Sequence, residues 1–345
     1  PTINVSNIVM NSANKDERYP FTITADDINI DSSSFMPVLT ATVRNEDGDY
    51  ETKKISLGSL KTVQSGKTYA YSVDNLTEDA VYSLVCTVKD MAGNSYSKII
   101  LKDGAQYDTV RFSINREGST FSANKATEKL SEQYYVYSVE NDIVIEEINV
   151  DPIEKYVLKV NGKELVEGRD YTTTISSNSG EWSKRTYIIS KDLFAEEGEY
   201  TIVVESTDKT ETTAYSDVKN VNVSFVVDQS KPVLTISGLE SEGRYQIDEQ
   251  IVTVIPTDDG GRLNAMKVII TDEDGNPIKD ANGKDISVRF DMSGDELFEY
   301  LSENDGKITF TIPEGFEQNV RIICEDCAVN ESDEVNVYDE VFEKV

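Results

Sequence analysis

The chain of 345 residues contains no histidine, three cysteines and a single tryptophan. The absence of histidine removes the commonest metal ligand and every catalytic triad or general base that depends on an imidazole. Enzymes that work through carboxylates alone, as in glycoside hydrolysis, remain open as an alternative, but they need a deep cleft in a fold that this sequence does not indicate. We therefore predict a protein that is not an enzyme and assign no catalytic, cofactor-binding or metal-binding residue.

Cysteine is too scarce for the even, dense sets that staple small secreted domains. Cys86 lies on the apolar set of a predicted strand, so we predict a small buried residue without a disulfide partner. Cys324 and Cys327 have the spacing of a redox pair but no helix N-terminus to activate them. We predict two free thiols there, with a local disulfide as the alternative, and zinc would need ligands that are missing.

Long apolar runs and positive charge are also lacking. No run reaches the roughly 18 residues of a membrane-spanning helix, and the start "PTINV" does not resemble a signal peptide. The formal net charge of −31 repels phosphates and anionic lipid headgroups. We predict neither nucleic acid nor a membrane span for this segment.

Strand-forming residues dominate what is present. The chain has 18 tyrosines and abundant Val, Ile and Thr, with a hydrophobic share of 38% that suits small sandwiches better than one large core. A domain size of roughly 100–150 residues predicts two or three domains. Short strands at 8–12-residue intervals, separated by turn signals, predict an all-β fold of sandwiches.

Three segments repeat one pattern and align without a gap: residues 76–94, 194–212 and 312–330. In each, apolar residues alternate with mostly polar ones, which predicts a strand with one buried face. Residues 1–8 are echoed by residues 232–239, and the turn "RNEDGD" at 44–49 is echoed by "TDEDGN" at 271–276. These repeats predict three domains, 1–103, 104–230 and 231–345, in a segment taken from a longer array.

Helices are predicted at only two places. Residues 192–198 have the composition of one helical turn, and residues 294–304 predict a short helix with Leu297, Phe298 and Leu301 at helical spacing. The Tyr-rich stretch 133–139 is interpreted as a strand whose rings serve core and sheet surface. All other segments are expected to be strands and turns.

The segment 76–94 resembles the tyrosine-corner region and penultimate strand of fibronectin type III and immunoglobulin-like domains. The junction at 222–245 and the turns "DMAGN" (90–94) and "DCAVN" (326–330) are similar to tandem bacterial Ig-like repeats. Residues 158–172 resemble the X2-type Ig-like module. The third unit departs from the pattern with Gln318 in place of the corner tyrosine, and the second has "DKTET" at 208–212 in place of the turn.

This resemblance implies three tandem Ig-like β-sandwiches in an extended rod, displayed outside a bacterium, in the cell wall or at the cell surface of a Gram-positive organism. The function it implies is a non-catalytic stalk or adhesin segment that spaces or presents a binding surface. Its partner would be a host or cell-surface protein or a glycan. The alternative is a carbohydrate-binding or accessory module of a secreted glycan-degrading enzyme, in which Trp182, beside the polar stretch 176–180, stacks on a sugar ring.

Three acidic stretches raise the question of calcium: residues 257–261, 272–276 and 279–285. Calcium needs six to eight oxygen ligands, and none of these stretches has the twelve-residue spacing of an EF-hand. We predict acidic hairpin turns and no cofactor. Calcium at the surface or between domains is the alternative left open.

Overall fold

The computed structural model describes residues 1–45, 48–176, 181–239, 243–246, 249–272, 274–313, 316–333 and 335–342. Parts of five predicted features, residues 46–47, 177–180, 240–242, 273 and 314–315, and the side chain of Gln318, lie outside the described residues. The predicted all-β class is confirmed, since strands far outnumber helices. By their contacts the residues group into two compact units, the first comprising Pro1–Thr127, Ile143–Ser190 and Ile202–Val223, and the second Glu128–Asp142, Lys191–Thr201 and Ser224–Val345.

The first pair of sheets lies in the first unit. Its strands are β1 (Thr2–Val5), β2 (Ala13–Asn14), β3 (Phe21–Asp26), β4 (Ile30–Arg44), β5 (Tyr50–Ile55), β6 (Lys61–Gln64), β7 (Thr68–Val73), β8 (Ala80–Asp90), β9 (Ser95–Tyr96), β10 (Ile99–Ile100), β11 (Gln106–Tyr107) and β12 (Val110–Ile114). One sheet has the order β11-β10-β1-β3-β7-β6 and the other β2-β12-β8-β4-β5, with β9 beside β8.

A single apolar core joins these two sheets in a sandwich-like arrangement. Phe21 of one sheet meets Phe112 of the other, with ring centroids 5.8 Å apart. The alternation predicted for β8 is confirmed, because Tyr82, Leu84 and Cys86 are all buried. The domain boundary at residue 103 stays a prediction; the next two strands, β11 and β12, pair with β10 and β8.

The second pair of sheets follows along the chain. Its elements are β13 (Thr120–Ala123), α1 (Lys125–Gln133), β14 (Tyr135–Val136), β15 (Ile143–Asn149), β16 (Ile153–Val160), β17 (Lys163–Glu164), β18 (Tyr171–Ser176), β19 (Ser183–Ile189), a 3-10 helix (Lys191–Phe194), β20 (Gly198–Asp208), β21 (Thr213–Tyr215) and β22 (Val223–Val227). The sheet orders are β13-β15-β19-β18 and β14-β22-β20-β16-β17, with β21 beside β20.

Helix α1 corrects the expectation of strands and turns in this part of the chain. Its sequence, "KATEKLSEQ", is rich in good helix formers. Asn124 caps it, because its side-chain oxygen accepts the Thr127 N–H at 2.8 Å. The Tyr-rich strand predicted over 133–139 is reduced to β14, since the helix occupies residue 133 and Tyr134 follows with a φ of 64°.

The third pair of sheets lies in the second unit. Its elements are β23 (Val233–Ser237), β24 (Gly243–Gln246), β25 (Glu249–Thr257), β26 (Leu263–Asp272), β27 (Val288–Ser293), α2 (Gly294–Glu303), β28 (Ile308–Pro313), β29 (Phe316–Asp326) and β30 (Val335–Phe342). The orders are β23-β25-β28 and β24-β30-β29-β26-β27, and one apolar core joins both sheets. The predicted helix at 294–304 is confirmed as α2, which buries Leu297, whereas Phe298 is 56% exposed.

The three aligned segments end in the same turn. At the ends of β8, β20 and β29, the N–H of Asp90, Asp208 and Asp326 donates to the carbonyl oxygen four residues later, at 3.1, 3.2 and 3.1 Å. The residue before that carbonyl has a positive φ in each case, 89°, 60° and 68°. The sequence alignment therefore corresponds to a shared backbone feature, which places an aspartate at the end of the same strand three times.

Strand register shows a second position that the three pairs of sheets have in common. The first strand of each sheet pair runs antiparallel to the next long strand, with Thr2 opposite Asp26, Thr120 opposite Ile148 and Val233 opposite Thr257. The residues that follow these partners are Asp27, Asn149 and Asp258.

None of the helices in the described ranges is both long and apolar enough to cross a membrane.

Candidate metal centre

Three aspartates from separate strand ends converge in the second unit; we call Asp228, Asp258 and Asp326 the carboxylate cluster. Asp228 follows β22, Asp258 follows β25 and Asp326 is the last residue of β29. One carboxylate oxygen from each lies within 4.8 Å of the other two. The cluster therefore forms where the strands end, and its members are up to 98 residues apart in the chain.

Among the residues that the structure describes, no hydrogen-bond donor reaches two oxygens of this cluster. Asp228 is 0% exposed, and its Oδ1 accepts the Ser230 N–H at 3.1 Å while its Oδ2 accepts nothing. Asp258 is similar, because Oδ1 accepts the Gly260 N–H at 3.2 Å and Oδ2 is buried without a partner. Buried polar atoms are almost always paired, so two unpaired carboxylate oxygens at one place need an explanation.

Asp326 is also 0% exposed, but it is fully engaged with Asn330. The Asn330 backbone N–H donates to Oδ1 and its side-chain amide donates to Oδ2, both at 2.9 Å. The same amide donates to the backbone carbonyl of Asp228 at 2.9 Å. Asn330 thus fastens the turn after β29 to the chain after β22.

Two glycines make room for the Asp228 side chain. A Cβ on Gly260 would lie 2.3 Å from Oδ1 of Asp228, and one on Gly261 would lie 2.1 Å from Oδ2. Neither distance is compatible with a side chain at these positions unless the carboxylate moves. The "DDGG" stretch after β25 therefore supplies the carboxylate of Asp258 and, through its two glycines, the space that the carboxylate of Asp228 occupies.

The charges of the cluster oppose one another. Burial, together with the neighbouring charges of Asp258, Asp326 and Glu197, raises the pKa of Asp228 to about 6. Burial also raises the pKa of Asp258, with Asp326 adding to the effect. In the described part of the chain none of the three carboxylates pairs with a lysine or arginine; Arg262, nearby in sequence, pairs with Asp295 instead, at 2.8 Å.

A corresponding cluster in the first unit consists of Asn115, Asn149, Asp151 and Asp208, and we call it the amide cluster. The Asn115 side-chain nitrogen donates to Asn149 Oδ1 at 2.8 Å, to Asp208 Oδ2 at 3.0 Å and to Asp151 Oδ2 at 3.2 Å. The Asn149 amide also donates to Asp208 Oδ2, at 3.2 Å. Burial raises the pKa of Asp151, while hydrogen bonds from Ser113 and Asn115 oppose that effect.

The two clusters occupy equivalent positions. Residues 110–123 align with 223–236 without a gap, which matches Asn115 to Asp228. Strand register matches Asn149 to Asp258, and the shared turn matches Asp208 to Asp326. Sequence reasoning named residues 257–261 as an acidic turn but missed Asp228 and Asp326 as possible ligands. The repeated strand "VRFSIN" and "VSFVVD", each ending in Asn or Asp, is the signal that could have found them.

The other acidic stretches are hairpin turns, as predicted. In 272–276 the Asp272 N–H donates to the Asn276 carbonyl at 3.0 Å, and in 279–285 the Asp280 N–H donates to the Lys284 carbonyl at 2.9 Å.

All three cysteines are free thiols. Burial raises the pKa of both Cys86 and Cys324 to about 12, so neither is a ready thiolate.

Trp182, the candidate for sugar stacking, is half-buried and already has partners in the first unit. Its indole N–H donates to the Thr42 carbonyl at 2.9 Å, and its ring centroid lies 6.4 Å from that of Tyr50. These contacts favour a packing role over an open stacking platform.

In the comparisons with known proteins, no protein-family profile matches the chain and no curated protein matches its sequence significantly.

Proposed function

We propose that the chain is a non-catalytic array of three tandem Ig-like β-sandwich domains, arranged end to end as a stalk or adhesin segment of a bacterial cell-surface protein. In this role it spaces or presents a surface that binds a host or cell-surface protein or a glycan. The observation that carries the proposal is the repetition of one architecture. The same hydrogen-bonded turn closes β8, β20 and β29, each in its own sheet.

Tyrosine corners support the Ig-like interpretation. The Tyr82 hydroxyl donates to the Glu78 carbonyl at 2.9 Å, and the Tyr200 hydroxyl donates to the Glu196 carbonyl at 2.8 Å. A tyrosine whose hydroxyl bonds back to the chain a few residues upstream is a hallmark of these sandwiches. The function itself is argued from architecture, because a fold does not specify an activity.

Small-angle X-ray scattering tests the end-to-end arrangement. A compact chain of this length would have a radius of gyration of about 20 Å, whereas three sandwiches in a row would exceed this value clearly. A measured radius near the compact value would contradict the stalk. A glycan array with wild type and Trp182→Ala tests the alternative of a carbohydrate-binding module, which requires binding that the substitution abolishes.

A further inference from the structure

We propose that Asp228, Asp258 and Asp326 bind a calcium ion, which holds the chain after β22 against the ends of β25 and β29. This site goes beyond the stalk function and does not depend on it. The proposal concerns residues of the second unit alone. Its ligands are carboxylate oxygens, within 4.8 Å of one another.

The unpaired oxygens are the first argument. An ionised carboxylate buried without a partner is strongly unfavourable, because it loses its hydration and gains nothing in return. Asp228 and Asp258 each accept one N–H through Oδ1 and, among the residues described, leave a buried Oδ2 without a donor, and Asp228 is 0% exposed. A proton could neutralise only one group, whereas a divalent cation placed among the three would satisfy both unpaired oxygens and reduce the repulsion of all three charges.

The donor set indicates which cation fits. Oxygen ligands alone favour hard cations such as calcium and magnesium. Zinc prefers thiolate or imidazole ligands, whereas the chain has no histidine and the three side chains of the cluster offer only carboxylate oxygens. Three oxygens within 4.8 Å of one another have a common point no more than about 2.8 Å from each, so a small inward movement brings them to the calcium–oxygen distance of about 2.4 Å; magnesium needs a tighter octahedron of about 2.1 Å and keeps more of its waters.

The amide cluster shows what the equivalent space contains elsewhere in the molecule. There the Asn115 nitrogen lies between 2.8 and 3.2 Å from three side-chain oxygens, so a hydrogen-bond donor fills the centre. With aspartate at the equivalent positions 228 and 258, both amide donors are gone and carboxylates take their places. A cation at this place would attract the carboxylate oxygens as the amide hydrogens do in the amide cluster.

Burial also separates this site from a carboxylate-based hydrolase. Glycosidases need two carboxyl groups with a sugar between them, about 5 Å or more apart and open to substrate. Asp228 and Asp326 are both 0% exposed, so they present no surface to a sugar ring. A bare ion can be enclosed by such groups.

Isothermal titration calorimetry on the full chain, stripped with EDTA and dialysed into about 0.15 M salt to screen surface charge, tests the proposal with CaCl2 and MgCl2. We expect one saturable calcium site and weaker magnesium binding. Thermal unfolding with calcium at about 100 times its Kd should shift the Tm of the domain that holds the site upward by roughly 10 °C.

Asp228→Asn is the informative variant, because it reproduces the residue found in the amide cluster. We expect calcium affinity to fall about 100-fold or more, while the Tm in EDTA stays at or above that of the wild type. Asp272→Asn is the matched control. Asp272 accepts the same pair of hydrogen bonds, from Asn276 at 2.7 and 3.0 Å, that Asp326 accepts from Asn330, but it is only half-buried and lies outside the cluster.

Three results would overturn the proposal: no saturable calcium binding to the wild type, undiminished binding to Asp228→Asn, or magnesium bound as tightly as calcium. Loss of binding in Asp272→Asn would also contradict it, since the ligands would then lie elsewhere. If Asp228→Asn does not fold, Asp258→Asn is measured in the same way. That variant must lose calcium affinity for the proposal to stand.

Discussion

The amide cluster and the carboxylate cluster form at equivalent strand ends, but they balance their charges differently. In the first, two aspartates face two asparagines, and the Asn115 amide donates to three oxygens. In the second, three aspartates converge and two of their oxygens have no donor. The architecture therefore fixes where polar side chains meet, while the residue types at two matched positions, Asn115 and Asn149 against Asp228 and Asp258, decide whether they satisfy one another.

This difference explains why, among the described residues, we propose a cation site in one copy of the repeated fold and not in the other. The turn that holds Asp208 and Asp326 is the same, so the backbone cannot be the cause. Asn115 and Asp228 have nearly the same size, but the amide donates hydrogen bonds and the carboxylate only accepts them. An asparagine donates hydrogen bonds to the oxygens around it and completes the network. An aspartate in its place leaves those oxygens without a donor, and we infer that a cation compensates for this loss.

The largest expected effect comes from placing the acceptor in the first cluster. Asn115→Asp would bury a third carboxylate beside Asp151 and Asp208, and we expect it to lower the free energy of unfolding by about 3–5 kcal/mol in EDTA. Urea unfolding measures the loss, and added calcium should reduce it. Asn282→Asp, in an exposed hairpin, is the control and should change stability by less than about 0.5 kcal/mol. An equally small effect of Asn115→Asp would break the comparison.

A smaller effect should follow from filling the space beside Asp228. Gly261→Ala would place a Cβ 2.1 Å from Oδ2 of Asp228, so the carboxylate must move. We expect calcium affinity to fall about tenfold, equivalent to ~1.4 kcal/mol, as measured by calorimetry. Gly58→Ala is the matched control, because its nearest neighbour, the Ser72 carbonyl, would be at an ordinary 3.5 Å. Unchanged affinity in Gly261→Ala would show that Asp228 is not a ligand.

The smallest effect concerns the tyrosine corners, which the first two sheet pairs share. Tyr82→Phe leaves the Glu78 carbonyl without its donor, and because Tyr82 is 1% exposed we expect a loss of about 1 kcal/mol. Tyr200→Phe should cost less, since Tyr200 is only half-buried and water can replace its hydroxyl at Glu196. Urea unfolding of both variants measures the two losses. A greater loss for Tyr200→Phe would contradict the burial argument.

Much of the fold follows from patterns that are local in the chain. Alternation predicts the buried face of β8, and helical spacing predicts α2. Helix α1 was missed because its one strong local signal, Asn124 before a run of helix formers, is outweighed by the surrounding strand pattern. Free, buried Cys86 was predicted from its place in the alternation.

The carboxylate cluster could be predicted only in part. Asp258 lies in an acidic stretch, but Asp228 follows β22 within the junction at 222–245, and Asp326 begins a turn that also follows β8, where no such cluster is described. Their convergence depends on which strands pair and where each one ends. That information is contained in sheet register and packing, and no short window of the sequence holds it.

A crystal structure grown with CaCl2 tests the central claim most directly. We predict an ion among Asp228 Oδ2 and one oxygen each of Asp258 and Asp326, with metal–oxygen distances of about 2.3–2.6 Å, and an Asn115 amide still at the centre of the other cluster. A water molecule in that place, or a direct hydrogen bond between Asp228 and Asp258 through a shared proton, would contradict it.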